Sequence, residues 1–337
     1  MASNRTCIGF DVGRSAVKLV AVHGSKQKIE KIEVTYPSAF SPAVRITDDR
    51  EAARAATETV SVDGQNYFVG ETAVLQGRDD LIAGLSDDWV FTKQHAALFL
   101  SGLKKLEAAG VPGVATAVIV AGLPARLYAH QKTTYAAELS KHAGQAEIKV
   151  VPQPLGPYYT MMLAKDGTQS KDFKGDDDSW GIIEVGQYTT DFALVEQGRT
   201  IENAFGSCDG MRVAAESLQK LVLERHNINI TLSEATDAMA NPRIKNYGKV
   251  IDVASEIQVA VAPLSQTIMD KANQLFGDRI RKMDGIRIAG GGAPLVSGAL
   301  ANKWPNTSVS ENSRYAVAEG FCRFALGLEH YRNSKAD

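Results

Sequence analysis

Apolar and polar positions along this chain switch between a period of two and a period near 3.6, and the switches mark its elements. Residues 6–36 read as three strands, with Lys26-Gln27-Lys28 as a polar turn. Residues 37–58 are rich in Pro, Ser, Ala and charge, show no clean period, and read as an exposed insertion. Thr59 to Val69 predicts a hairpin turning at Asp63-Gly64. Leu98, Leu103 and Leu106 share one face of a helix from Thr92 to Ala109 that ends at Gly110. A buried strand from Ala115 to Ala121, a helix from Arg126 to Ala143 and a strand from Glu147 to Val151 follow, and the chain then crosses into its second half. There, a polar loop (Asp166 to Ser179) leads into a strand-turn-strand from Trp180 to Val195. Arg199 to Ala204 reads as a strand, and Met211–His226, Thr231–Met239 and Val250–Phe276 as helices. The last amphipathic segment, Arg314 to Tyr331, is expected to pack back on the first domain.

Two of the predicted turns look alike. Phe10-Asp11-Val12-Gly13 and Ile183-Glu184-Val185-Gly186 each end an apolar strand on an acid-Val-Gly sequence and lead into a second strand, about half a chain length apart. One such turn is a common hairpin sequence; a matched pair points to two similar halves facing one ligand. Glycine lets backbone approach closely, and a tight turn aims its amide N–H groups at an anion. A carboxylate repels phosphate, so Asp11 and Glu184 are expected to hold a hydrated Mg²⁺ between them. Two such clamps imply a nucleoside triphosphate. A third element, Ile286 to Pro294, runs an apolar strand into Gly290, Gly291 and Gly292, with Pro294 early in a helix through about Leu300. Backbone without side chains there lets a base or ribose lie flat. The contiguous glycines lack the Gly-x-Gly-x-x-Gly spacing of a dinucleotide fingerprint.

Composition narrows the classes. A chain of 337 residues, 44% hydrophobic and 23% charged, can bury a large core in two domains. Its net charge of −2 gives no general pull toward nucleic acid or anionic lipid, so direct sequence-specific DNA binding is not expected. Met1 to Thr6 is polar and the longest apolar run, Val114 to Leu123, is too short to span a bilayer; neither a signal peptide nor a membrane partner is expected, and the location is taken as cytoplasmic. Cys7, Cys208 and Cys322 are isolated and read as reduced thiols. Asp176-Asp177-Asp178 reads as a solvated loop rather than a metal site. No His-x-x-x-His pair, Gly-x-Ser-x-Gly elbow or Gly-x-x-x-x-Gly-Lys-Ser/Thr loop is present.

The order of motifs resembles the actin, Hsp70 and sugar-kinase superfamily. Asp11 to Lys18 matches its first phosphate motif, Val151-Pro152-Gln153-Pro154-Leu155-Gly156 its first connection, and Glu184 to Asp191 its second phosphate motif. Ile288 to Pro294 matches the adenosine motif and Ala318-Glu319-Gly320-Phe321 the second connection. Within the superfamily the chain is most similar to bacterial actin-like proteins of the ParM/StbA plasmid-segregation type, in length and in Tyr67 to Glu71 and Val118 to Pro124. The resemblance implies an α/β, two-domain actin-like (ribonuclease H-like) fold. Each domain would be a mixed five-stranded sheet flanked by helices, with the nucleotide in the interdomain cleft. Residues 1–152 plus 315–337 would form domain I, with 37–70 as a smaller insertion; 153–314 would form domain II, with about 211–280 as a helical subdomain.

The same resemblance assigns roles. Gly13, Arg14, Ser15 and Ala16 would hold phosphates through backbone, with Lys18 as a point charge on the β- and γ-phosphates. Gly186, Gln187, Tyr188 and Thr189 would grip the γ-phosphate, Gly290, Gly291 and Gly292 would contact the nucleoside, and Gly210 is a further nucleotide-binding candidate. Asp11 and Glu184 would hold Mg²⁺ through water. Gln153 and Glu184 are the catalytic candidates; Gln153 lies where relatives place Gln or Glu to orient the attacking water, since a neutral amide positions water without taking its proton. Two departures stand out. Relatives carry Asp where this chain has Glu184, whose extra carbon extends the carboxylate by about 1.5 Å. Gln187 and Tyr188 also make the second turn bulkier. The implied activity is slow hydrolysis of ATP (GTP as the alternative) coupled to a head-to-tail filament, moving plasmid DNA through an adaptor bound to a centromere-like site. A small-molecule kinase and a non-polymerising ATP-gated scaffold on the same fold are the competing classes.

Overall fold

The computed structural model describes residues 5–25, 28–77 and 86–336; Lys26 and Gln27 of the expected polar turn lie outside them. The chain divides into two compact units, residues 1–173 with 317–337, and residues 174–316.

Unit 1 begins with three antiparallel strands, β1 (Cys7–Val12), β2 (Ala16–Ser25) and β3 (Lys28–Pro37). β4 (Phe40–Pro42), α1 (Asp49–Thr57), β5 (Thr59–Val62), β6 (Gln65–Val69) and α2 (Glu71–Gly77) follow. Then come α3 (Lys93–Ala108), β7 (Val118–Leu123), α4 (Ala125–Ser140), β8 (Glu147–Pro152) and α5 (Leu155–Met162). The main sheet runs β3-β2-β1-β7-β8, with β7 parallel to both β1 and β8. All six residues of β1 are buried, because the sheet is covered on both faces. Phe10 faces α3, where its ring lies 4.7 Å from that of Phe99. Gly9 points the other way, where an added Cβ would stand 1.9 Å from the Ala318 carbonyl oxygen. α3 is closed at both ends. The Thr92 hydroxyl accepts from His95 N at 3.3 Å. At the other end Gly110 (φ 84°) lets Val111 N reach back to Leu106 O at 3.0 Å.

Residues 37–58 differ from the expected exposed insertion. β4 pairs with β6, so Phe40 and Ser41 are buried, and the Asp48 carboxylate caps α1 by accepting from Glu51 N at 2.8 Å. Small residues hid the helix: its buried side is Ala55, packed with Phe68 and Ala73, too weak an apolar stripe to show in the sequence. β7 starts at Val118 because a turn of 3₁₀ helix, Val114–Thr116, follows Gly113 at φ 63°.

Unit 2 repeats the plan. β9 (Ser179–Val185), β10 (Thr189–Glu196), β11 (Arg199–Thr200) and β12 (Gly206–Asp209) lead to α6 (Met211–His226) and α7 (Leu232–Ala240). β13 (Arg243–Asn246), β14 (Lys249–Asp252), α8 (Ala254–Phe276), β15 (Gly285–Ala289), α9 (Ala293–Lys303) and β16 (Thr307–Val309) complete it. Its sheet runs β11-β10-β9-β15-β16, with β12 as an additional partner of β10. Strand by strand this is the order of unit 1: an antiparallel trio followed by two parallel strands. The expected strand at 199–204 is only two residues long, and the hairpin β13–β14 replaces the start of the helix expected from Val250. Tyr247 (φ 45°) and Gly248 (φ 84°) make its turn, and a tyrosine in a left-handed conformation gives no turn signal.

The last helix, α10 (Ala316–Ala336), returns to unit 1. Residues 153–173, expected in the second domain, also group with unit 1. They are held there by α10: Gly320, given a Cβ, would place it 1.8 Å from Gly156 O, and Arg323 Nη1 donates to the α5-terminal carbonyls of Thr160 and Leu163, both at 2.8 Å. No helix among the described residues is long and apolar enough to cross a membrane.

Candidate functional site

The β1–β2 hairpin builds the first half-site. Pairing places Asp11 opposite Lys18, so the two side chains lie on one face of the hairpin. Asp11 is 4% exposed; Lys18 Nζ donates to its Oδ2 at 3.1 Å and Gln153 Nε2 to its Oδ1 at 3.1 Å. Burial this deep requires such donors on both oxygens. The hydrogen bond also orients Gln153: with Nε2 turned to Asp11, the amide oxygen is the end that can accept from a water. Space for Gln153 comes from Gly122 on β7, where an added Cβ would meet Gln153 Cγ at 2.6 Å and the Phe321 ring at 2.7 Å. At the turn, a Cβ on Gly13 would lie 2.7 Å from Ala16 O. Ser15 is exposed. The Arg14 guanidinium folds away over the Trp89 ring (5.6 Å) and donates to Ser86 O at 2.8 Å, so Arg14 offers the turn its backbone.

The β9–β10 hairpin builds the second half-site in the same register, with Glu184 opposite Asp191. Thr189 Oγ1 donates to Asp191 Oδ2 at 2.8 Å. The pair is thus acid against acid where the first hairpin sets acid against lysine. Gly186 N donates to Thr189 O at 2.9 Å to close the turn. The start of α6 sits directly on it: Gly210, Met211 and Arg212 donate their N–H groups to the carbonyls of Tyr188, Gly186 and Gln187 at 3.1, 3.0 and 2.7 Å. Gly210 therefore has a packing role, and its Cβ would collide with Gly186 O and Thr189 N, both at 2.7 Å. Gln187 Nε2 turns to Thr236 Oγ1 at 3.1 Å, and Arg212 lies over the Tyr188 ring at 5.6 Å.

The three glycines after β15 divide the work. Gly290 (φ 90°) presses on the acid strand, with Val185 O 2.3 Å and Glu184 Oε1 2.7 Å from a built Cβ. Gly292 presses on Met211 and Val185, each at 2.6 Å. Gly291 faces open space, with nothing within 4 Å, and is the glycine whose bare backbone a ligand can reach.

Asp11, Lys18 and Gln153 thus meet at the β1–β2 hairpin, Gln153 having been expected in the second domain, whereas Gly210, Gly290 and Gly292 pack on the β9–β10 hairpin. Sequence reasoning placed Asp191 in the second phosphate motif without a role of its own, although it stands seven residues after its acid as Lys18 does after Asp11. Among the described residues no three His, Cys, Asp or Glu side chains group to cage a metal directly. Within the Asp176-Asp177-Asp178 run, Asp178 Oδ2 accepts from Lys174 N at 2.9 Å. Burial pushes the Cys7 thiol up to about 12 and Cys208 up to about 11, so neither is a thiolate at neutral pH.

Comparison with known proteins gives a consistent picture. Residues 9–156 match the family described as actin-like proteins, N-terminal domain, and residues 182–302 match the archaeal actin homologue MreB-like, C-terminal. No curated protein sequence matches the chain significantly. Among solved structures, a pCBH ParM non-polymerisable quadruple mutant aligns with TM-score 0.71 at 21% identity, over 95% of this chain and 99% of that one. A 15-stranded ParM filament from Clostridium botulinum aligns at 0.70 and 20%, over 96% and 99%. The archaeal actin homolog Ta0583 in complex with ADP aligns at 0.70 and 15%, over 94% and 97%. At these identities the likeness concerns the fold.

Proposed function

We propose that this chain, actin-like by both family matches, is an ATPase whose two acid hairpins bind one Mg²⁺–ATP and which assembles head to tail into filaments. The observation that carries this reading is the repeated hairpin: the same strand order, an acid near the end of the first strand, and a glycine two residues after it in each unit. The chemistry divides between them. The first turn supplies N–H groups and Lys18 to the β- and γ-phosphates, and Gly186 to Thr189 supply the γ-phosphate's other partners. Gln153, already oriented by Asp11, holds the attacking water. Asp11 and Glu184 would hold a hydrated Mg²⁺, which supplies positive charge to the phosphate oxygens. Losing the γ-phosphate removes a group that both hairpins grip, which makes hydrolysis a timer for disassembly. Contacts that repeat from subunit to subunit without closing give an open filament. The similarity to a ParM filament and to an ADP complex supports assembly and nucleotide binding. Movement of plasmid DNA would then run through an adaptor on a centromere-like site, because a net charge of −2 gives the protein little affinity of its own for DNA.

Sedimentation with ATP and Mg²⁺ tests the proposal, with GTP in parallel to decide the base. Nucleotide-dependent pelleting is expected; no assembly at any protein concentration or salt would overturn the filament reading. In the same assay Gln153→Ala should still pellet but release phosphate about tenfold more slowly or worse, giving longer-lived polymer. Unchanged turnover would remove Gln153 from its role.

A further inference from the structure

We propose that Ser38, held by Gln94 and Trp89, is the positioning residue that aims the first phosphate turn. This rests on the nucleotide-binding reading above and adds to it the group that organises the turn. Ser38 lies just past β3, 6% exposed, and makes two hydrogen bonds to the β1–β2 turn: its hydroxyl donates to Gly13 O, and its N–H to Ser15 O at 2.9 Å. A trans peptide points its N–H opposite to its C=O, and no described peptide bond here is cis. Fixing the Gly13 and Ser15 carbonyls toward Ser38 therefore fixes the N–H groups of Arg14 and Ala16 toward the opposite side of the turn. Those are two of the donors that a phosphate on this turn requires. A glycine-containing turn left to itself would sample other peptide orientations, and holding one of them in advance lowers the ordering cost at binding.

Ser38 is itself fixed. Gln94 Nε2, on the first turn of α3, donates to Ser38 O at 3.2 Å, and Gln94 Oε1 accepts from Trp89 Nε1 at 3.2 Å. The Trp89 ring carries the Arg14 guanidinium on its face, 5.6 Å from the centroid. The contacts thus form a closed ring that leaves the turn through Gly13 and Ser15 and re-enters it at Arg14. Gln94 is 4% exposed, so water does not compete for these bonds.

The test is steady-state ATPase kinetics and ATP titration of Ser38→Ala, Ser38→Thr and Gln94→Met. The N–H groups aimed by Ser38 contact ground state and transition state alike, so losing their alignment should raise Kd and KM together and spare kcat. Ser38→Ala is expected to raise both about tenfold, with kcat within about twofold, and Ser38→Thr should restore most of the affinity because it keeps the hydroxyl. Gln94→Met, which keeps Ser38 but frees it, should shift KM the same way by a smaller factor. If Ser38→Ala does not fold, the Gln94→Met split between KM and kcat decides. Wild-type affinity in Ser38→Ala, a fall in kcat without a rise in KM, or a threonine variant as impaired as the alanine one would each overturn the assignment. If the wild type itself binds no ATP, the parent reading fails instead, and the two failures are told apart by that control.

Discussion

Asp11→Ala should weaken Mg²⁺-dependent ATP binding by about 100-fold or more while leaving the weak binding seen in EDTA nearly unchanged. Asp11 has three parts in the first half-site. It is the candidate carboxylate for the hydrated cation, it anchors Lys18 Nζ at 3.1 Å, and it orients Gln153 at 3.1 Å. Removing it leaves a half-buried ammonium without its nearest counter-charge and lets the Gln153 amide turn. Each of those effects alone is worth about 1–3 kcal/mol. The charge-removing Asp11→Asn keeps the shape and an acceptor oxygen, so it should fall between wild type and alanine. Calorimetric titration with and without Mg²⁺ checks the prediction; equal affinity for wild type and Asp11→Ala in Mg²⁺ would refute it.

Gly320→Ala should strongly destabilise unit 1. α5 and α10 cross at Gly156 and Gly320, and the new Cβ would stand 1.8 Å from Gly156 O and 2.6 Å from the Gly156 carbonyl carbon. Backbone cannot rotate aside as a flexible side chain can. The helices must separate, and Arg323, which ties α10 to the Thr160 and Leu163 carbonyls, must lengthen its bonds with them. The expected cost is about 3 kcal/mol or more, at the upper end for overpacking, and a fall in the unfolding midpoint of about 5 °C or more. By contrast Gly291→Ala, built into open space, should leave the midpoint of the nucleotide-free protein within about 1 °C. Equal midpoints for wild type and Gly320→Ala would show that the crossing is looser than its geometry.

The elements that the sequence revealed are those whose local chemistry carries the signal unaided. α3 announced itself by Thr92, its leucine face and Gly110; α6 ran from Met211 to His226 as its pattern required, closed by Asn227 at φ 54°. Both acid hairpins were legible because a glycine turn between apolar strands has few other meanings. What stayed hidden depended on contacts distant in the chain. β4 looks like loop until β6 supplies its partner, and α1 shows mostly alanine to its neighbours. Ser38 is one of two serines in a stretch without a clean period, and only folding brings Gln94, 56 residues later, to its carbonyl. The three glycines after β15 looked equivalent, whereas close packing on Val185 and Met211 separates Gly290 and Gly292 from Gly291. Glycine in a sequence states that space is tight or φ unusual; which neighbour makes it so is a tertiary fact.

If both hairpins serve one nucleotide, the number of ATP molecules bound per chain in Mg²⁺ must show it. Calorimetry of the wild type should give one ATP per chain. Gly186→Val, in the second turn, should weaken that single event as Asp11→Ala does in the first, because a Cβ there meets Thr189 O at 2.9 Å and opens the turn. Two independent ATP molecules per chain, or a wild-type isotherm from Gly186→Val, would contradict the account.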